Sequence, residues 1–146
     1  MLQETHIITA AHVIQLAVAP VFLITGISGM LSVMTSRLGR IVDRGRVVEA
    51  SAADGSMDAK CAEDELRHLS RRGRFITVSI GLCTLTALLV SAIIAMLFIG
   101  SFLSFDVSLF VALFFVVAML AFIVALLFFL REVFIAIGGL EFRQRG

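Results

Sequence analysis

The sequence predicts an all-α integral membrane protein with three transmembrane helices, the first two of which extend into the cytoplasm as a helical hairpin. Hydrophobic residues make up 60% of its 146 residues, and the mean hydropathy is +1.05. No Asp, Glu, Lys or Arg occurs from Thr5 to Ser36, and Asp106 is the only one from Phe75 to Leu130. Uncharged apolar stretches of about 18 residues or more are typical of membrane spans. A single soluble domain could not bury this much apolar surface.

The three apolar segments each exceed the ~20 residues that cross the hydrocarbon core of a bilayer. Residues 36–74, between the first two spans, predict two helices joined by a turn at Ser51–Asp58. Leu38 and Ile41 begin an apolar face at helical spacing before that turn, and an Asp-Gly pair within it favours chain reversal. We therefore predict a single membrane domain over residues 1–146, with spans at about 7–34, 75–98 and 107–130.

The distribution of Lys and Arg predicts the orientation, because these residues concentrate on the cytoplasmic side of membrane proteins. Nine of the twelve lie between Ser36 and Arg74, and the other three follow the third span. The N-terminal segment and the connection at Gly100–Asp106 have none. The N-terminus is therefore expected outside and the C-terminus in the cytoplasm.

Polar and small residues are distributed unequally among the spans. The third span has no polar side chain from Leu109 to Leu130, so we expect it to face lipid. The second carries a stripe of small residues that favours close helix packing; it comprises Thr77, Gly81, Thr84, Leu88, Ser91 and Ala95. The first span is the most polar, and its candidate axis-lining or helix-contact residues are His12, Gln15, Thr25, Ser28, Gly29 and Ser32. One chain offers few partners for two polar faces, which favours self-association.

Catalytic and metal-binding patterns are not found in the sequence. No Asp, Glu, Lys or Arg lies within a predicted span, whereas proton-coupled carriers generally need an intramembrane carboxylate. Cys61 and Cys83 fall in different environments and give neither a disulfide framework nor a metal spacing. We expect no enzymatic activity, no cofactor, no metal and no nucleic-acid partner.

Three stretches together resemble a bacterial membrane family, the domain of unknown function 2721. They are APVFLITGISGMLSVMTSRLGRIVDRGR at Ala19–Arg46, ELRHLSRRGRFI at Glu65–Ile76 and FLREVFIA at Phe129–Ala136. The resemblance covers nearly the whole chain. It implies three spans in a bacterial inner membrane, and it implies no established activity.

Two functions are compatible with these patterns. The first is a homo-oligomeric channel or pore-like assembly, with the first span nearest the axis and basic rings of Arg37, Arg40 and Arg44 at its cytoplasmic mouth that favour anions. The second is a non-conducting scaffold or regulatory subunit whose cytoplasmic hairpin binds a protein partner. A continuous water-accessible path would distinguish the channel from the scaffold.

Six arginines are expected at the cytoplasmic membrane boundary, where anionic lipid headgroups attract basic residues. We expect Arg37, Arg40, Arg44, Arg71, Arg72 and Arg74 to contact headgroups or to form the basic ring. Glu132 is the first acidic residue after the apolar third span, and a carboxylate there is tolerable only beside a cation. We predict that Glu132 pairs with Arg37, Arg40 or Arg74 of another helix.

Overall fold

The computed structural model describes residues 2–103 and 108–143, with side chains described for 12, 14–100 and 108–136. Every regular element in the described residues is an α-helix. Residues 100–103 of the predicted connection at 100–106 are helical and end α2, so this helix is longer than predicted. Residues 104–107, which include the predicted start of the third span, lie outside the described residues. The helices are α1 at Leu2–Ala53, α2 at Ala59–Leu103 and α3 at Ser108–Arg143.

All three helices are long and apolar enough to cross a membrane. The suitable stretches are Ile14–Ala53, Ala59–Gly100 and Ser108–Ala136, whose apolar 18-residue segments have mean hydropathies of 2.0, 2.6 and 3.2. Each far exceeds the ~20 residues required. The chain is thus an all-helical protein with three helices of membrane-spanning character.

The turn between α1 and α2 is formed by local hydrogen bonds. Met57 N donates to Ser51 O over 3.0 Å, and Ser56 N donates to Asp54 Oδ1 over 3.0 Å. Gly55 has a φ of +76°, in the left-handed region that glycine adopts without steric cost. Hydrogen bonds from the side chain and then the backbone of Ser56 lower the pKa of Asp54. The chain therefore reverses within the segment 51–58 predicted from its Asp-Gly pair.

The described residues form two compact units, each with segments of all three helices. The first comprises Met1–Met30 and Leu82–Ile123. Its buried side chains include Ile27, Thr86 and Ala118. Thr86 Oγ1 donates to Leu82 O over 2.9 Å and lies 3.4 Å from Ala118 O. Small residues thus allow α2 and α3 to pack closely in this unit.

The second unit comprises Leu31–Gly81 and Val124–Gly146. Its core includes Met34 and Val48 of α1 and Ile76 of α2. Ala125 and Glu132 are the fully buried residues that α3 contributes among its described side chains. Glu132 is therefore a charged group inside a mostly apolar core, where Ser79 is a further buried polar residue.

Along each helix the buried positions recur at seven-residue spacing, the period of helices that pack at a shallow angle of about 20°. On α2 the buried positions alternate at spacings of three and four. The residues that follow this spacing are Pro20, Ile27, Met34 and Val48 on α1, Ala62, Ile76, Ser79, Cys83, Thr86, Val90, Ile93 and Gly100 on α2, and Ala118, Ala125 and Glu132 on α3; Ala17 is buried outside it.

The predicted small-residue stripe of α2 lies on the face opposite this buried one. Thr77, Gly81, Leu88 and Ser91 are all exposed, so the stripe is not buried against the described parts of the other helices. The reason is that α2 has two faces of similar character, and Ser79, Cys83 and Thr86 supply small residues to the buried one. Most large apolar side chains among the described residues of α3 are exposed, with Leu109 at 76%.

Candidate functional site

A single carboxylate joins all three helices in the second unit. Glu132 of α3 is 1% exposed. Arg37 Nη1 of α1 donates to its Oε2 over 3.0 Å, and Arg72 Nη2 of α2 donates to its Oε1 over 2.9 Å. Charge-assisted bonds of this length are among the strongest in proteins. They compensate for removing the carboxylate from water, which would otherwise be costly.

Phenylalanine rings flank this ion-paired group. The Arg37 guanidinium lies 5.4 Å from the centre of the Phe129 ring, and that of Arg131 lies 5.1 Å from the Phe75 ring. Phe75 in turn stacks on Phe128 with their centres 6.1 Å apart. A cation within about 6 Å of an aromatic face is attracted to it. The rings therefore favour fixed positions for two arginines at the end of the apolar segment.

Arg72 has one buried hydrogen-bond donor without an acceptor. Its side chain is 24% exposed, but its Nε is buried and forms no hydrogen bond within the described residues. Buried donors are nearly always satisfied in native proteins, because an unmade bond costs the desolvation of the group.

Two further ion pairs occur in the same unit. Glu65 Oε1 lies 2.7 Å from Arg44 Nη2 and accepts a hydrogen bond from its Nε over 2.8 Å. Glu63 and Arg67, four residues apart on α2, form an exposed pair at 3.3 Å. The Arg44–Glu65 pair joins α1 to α2. The Glu63–Arg67 pair lies on the surface of one helix, where ion pairs contribute little to stability.

A surface pocket of about 310 Å³ lies beside the buried carboxylate. Four of its lining residues are arginines, contributed by α1 and α2, and its apolar lining comes from all three helices. The lining residues are Arg37, Arg40, Ile41, Arg44, Leu69, Arg72, Glu132 and Ala136. This volume is at the small end of the range for ligand pockets. The arrangement can bind an anion through several guanidinium groups.

The arginines expected at the membrane boundary therefore fall into two groups. Arg37, Arg44 and Arg72 are held in ion pairs. The exposed side chains of Arg40, Arg71 and Arg74 form no ion pair with a carboxylate of the described residues. Of the three arginines predicted as partners of Glu132, only Arg37 is bonded to it; the second partner is Arg72 instead of Arg40 or Arg74.

The candidate residues of the first span are not buried against the described parts of the other helices. His12, Gln15, Thr25, Ser28, Gly29 and Ser32 are all exposed. A Cβ added at Gly29 would meet no atom within 4 Å. Thr25 Oγ1 donates to Val21 O over 3.2 Å and Ser28 Oγ to Ile24 O over 3.0 Å. These two hydroxyls are thus satisfied within their own helix.

Metal binding finds no support in the described side chains, which contain no group of three or more His, Cys, Asp or Glu placed to hold an ion.

No curated protein and no solved structure matches the chain. One family does match: its model, described as Protein of unknown function (DUF2721), covers residues 17–142. These residues include Arg37, Arg72, Glu132 and the whole lining of the arginine pocket. Because the match covers most of the chain, the chain belongs to the DUF2721 family.

Proposed function

We propose that the protein is a subunit of a homo-oligomeric, non-conducting scaffold in the bacterial inner membrane, assembled through α1. The observation that carries this proposal is the exposed face formed by Thr25, Ser28, Gly29 and Ser32. It lies opposite the buried Ile27, because residues three and four apart share one side of a helix. Small residues let membrane helices approach closely, and this contact drives their association.

Hydrogen bonding on this face supports helix contact over a hydrophilic lining. The hydroxyls of Thr25 and Ser28 donate to carbonyls of their own helix, so their protons are already in use. Such residues can enter a tight apolar contact at little cost. They provide fewer hydrogen-bond donors to water in a pore than free hydroxyls would.

The state of the arginines also supports a scaffold over an anion channel. Arg37 and Arg44, two of the three residues expected in basic rings, are paired with Glu132 and Glu65. A carboxylate beside each guanidinium reduces the positive potential that such a ring would present to an anion. Arg40 alone among the three has no ion pair with a described carboxylate.

A channel is the second candidate, and the exposed side chains of His12 and Gln15 favour it. The side chain of Gln15 forms no hydrogen bond within the described residues, and an unpaired amide in hydrocarbon is costly. In an oligomer with α1 at its axis, water in a pore or a facing Gln15 could satisfy it. Flux separates the two functions. Vesicles containing the protein should not release chloride or potassium, whereas flux that Gln15→Leu reduces would favour the channel.

The topology proposed with this assembly places the turn between α1 and α2 in the cytoplasm. In that orientation the exposed carboxylates Asp54, Asp58, Glu63 and Asp64 would be available to a soluble protein partner. The proposal rests on the arginine distribution, because Lys and Arg near span ends determine orientation.

Native mass spectrometry of the full chain in mild detergent tests the assembly. Gly29→Leu and Ser32→Leu should shift the mass towards the monomer, because a bulky side chain prevents close helix contact. The lone chain should tolerate Leu at position 29, where an added Cβ meets nothing within 4 Å. Ala112→Leu places the same bulk on an exposed position of α3 and should leave the oligomer intact. A monomeric parent protein would overturn the proposal.

A further inference from the structure

We propose that the arginine pocket, defined by its lining residues Arg37, Arg40, Arg44, Leu69, Arg72 and Glu132, binds the phosphate group of a phosphate ester. Two sources share this chemistry: the headgroup of an anionic phospholipid and a soluble phosphate ester. The inference is independent of the proposed assembly, because all the lining residues belong to one chain and to its second unit.

The charge in the pocket matches a phosphate. Glu132 compensates one of the two arginines it joins, and Glu65 compensates Arg44. Two guanidinium charges are left without a carboxylate among the described residues. An ester phosphate carries one or two negative charges, so it would neutralise half or all of this excess. A sugar or an uncharged amphiphile would not.

The ion pairs hold two of the guanidiniums in place before a ligand arrives. Glu132 accepts one N–H from Arg37 and one from Arg72, whereas each guanidinium has five N–H donors. The remaining donors stay available in a fixed orientation. Ordering a flexible arginine is one of the costs of binding, and preorganisation reduces it. Glu132 thus orients two arginines of the pocket before binding, and it would itself lie beside the bound phosphate.

Arg72 supplies a second, independent indication of an oxygen ligand. Its Nε is buried and without a hydrogen bond in the described part of the chain, and Arg72 lines the pocket. Arginine binds phosphate through two parallel N–H bonds, and Nε with one Nη forms such a pair. Because this Nε is buried, a phosphate oxygen would satisfy it only once the Arg72 side chain turns towards the pocket.

The apolar lining indicates an ester in preference to inorganic phosphate. Ile41, Leu69 and Ala136 share the pocket with the arginines, and its volume of about 310 Å³ leaves room for an organic group. The pocket also lies at the charged end of the apolar segments, where lipid headgroups are found. A glycerol phosphate, free or within a phospholipid, fits both parts of the lining.

Arg40 is the residue to replace in a test of phosphate binding, because it lines the pocket and has no ion pair in the described residues. The full chain would be placed in phosphatidylcholine nanodiscs, and binding measured for phosphatidylglycerol added to the disc and for soluble glycerol phosphate. Arg40→Gln should weaken binding of one or both by about tenfold, the effect of losing a charge-assisted bond. Arg71→Gln removes the same charge from an exposed arginine outside the pocket and should change binding less than twofold.

Each outcome decides the proposal. A response confined to phosphatidylglycerol identifies the headgroup as the source, and one confined to glycerol phosphate identifies a soluble ester. Absence of binding by both probes, or an equal loss in the two variants, would overturn the site in favour of a general basic surface. If Arg40→Gln is poorly folded, Arg40→Lys keeps the charge but loses the paired donors, and should still bind more weakly than Arg71→Lys.

Discussion

Glu132 of α3 and Arg37 of α1 are joined by a 3.0 Å hydrogen bond although they are 95 positions apart in the chain. Arg72 of α2 donates to the other oxygen of the same carboxylate. Each helix thus contributes one charged residue to a group inside the second unit. The group determines which surfaces of the three helices face each other there, because only one rotation of α3 brings Glu132 to both arginines.

Replacing Glu132 with Gln should destabilise the protein. The amide retains an oxygen acceptor but removes the charge that both arginines neutralise. We expect a loss of about 2–3 kcal/mol, below the ~3–5 kcal/mol of fully buried pairs because the side chains of Arg37 and Arg72 are 33% and 24% exposed. The melting temperature in mild detergent should fall at low and high salt alike, because salt screens buried charges weakly.

Glu63→Gln is the matched control for this measurement. Glu63 also pairs with an arginine, but both side chains are exposed. Exposed pairs contribute ~0–1 kcal/mol, so this variant should melt close to the parent protein. Equal melting temperatures for Glu132→Gln and the parent would mean that the bonds from Arg37 and Arg72 to this carboxylate do not stabilise the fold.

Hydropathy alone was enough to predict three long apolar helices, because the charge-free segments are long and the penalty for charge in hydrocarbon is large. The turn was also predictable, because Asp54 and Gly55 favour chain reversal by well-understood backbone chemistry. Which face of α2 packs within the chain was not predicted from its small residues. Thr77 and Gly81 on one face resemble Ser79 and Cys83 on the other, so composition could not distinguish them.

The seven-residue spacing of the buried positions could have narrowed the choice of the arginine that pairs with Glu132. Arg72 lies seven residues before the buried Ser79 and therefore on the inner face of α2. Arg74 lies two residues further, which rotates it by about 200° to the outer face. Arg37 and Arg44 are likewise seven residues apart along α1. The pocket itself could not be predicted, because it depends on the separation of helices and not on any one helix.

Ala125→Leu should disrupt the packing of α3 in the second unit. Ala125 is fully buried, and a larger side chain there forces neighbouring side chains apart at a cost of about 1–3 kcal/mol. Ala112→Leu makes the same change at an exposed position of α3 and should alter the melting temperature little. Thermal unfolding in detergent measures both. Similar melting temperatures for the two variants would contradict close packing at Ala125.

The orientation can be tested with the native thiols. Cys61 is exposed and Cys83 is buried, so a membrane-impermeant maleimide should react only with Cys61. We expect labelling only after the cells are permeabilised, because Cys61 lies in the predicted cytoplasmic segment. Cys61→Ser should abolish it. On that background Ser104→Cys, at a position outside the described residues, should be labelled in intact cells. The opposite pattern would reverse the topology.

A double-mutant cycle on Glu132 and Arg72 should show strong coupling. Arg72→Gln alone leaves the buried carboxylate with Arg37 as its one described partner, and Glu132→Gln alone leaves two guanidiniums without a counter-charge. Once either charge is gone, removing the other costs less, so the double variant should lose less stability than the two single losses combined. Contacting charged residues typically couple by ~0.5–3 kcal/mol.

Arg67 shares no partner with Glu132, so the effects of Arg67→Gln and Glu132→Gln should be additive within about 0.5 kcal/mol. Additivity in the first cycle as well would mean that the 2.9 Å contact between Arg72 and Glu132 does not stabilise the fold.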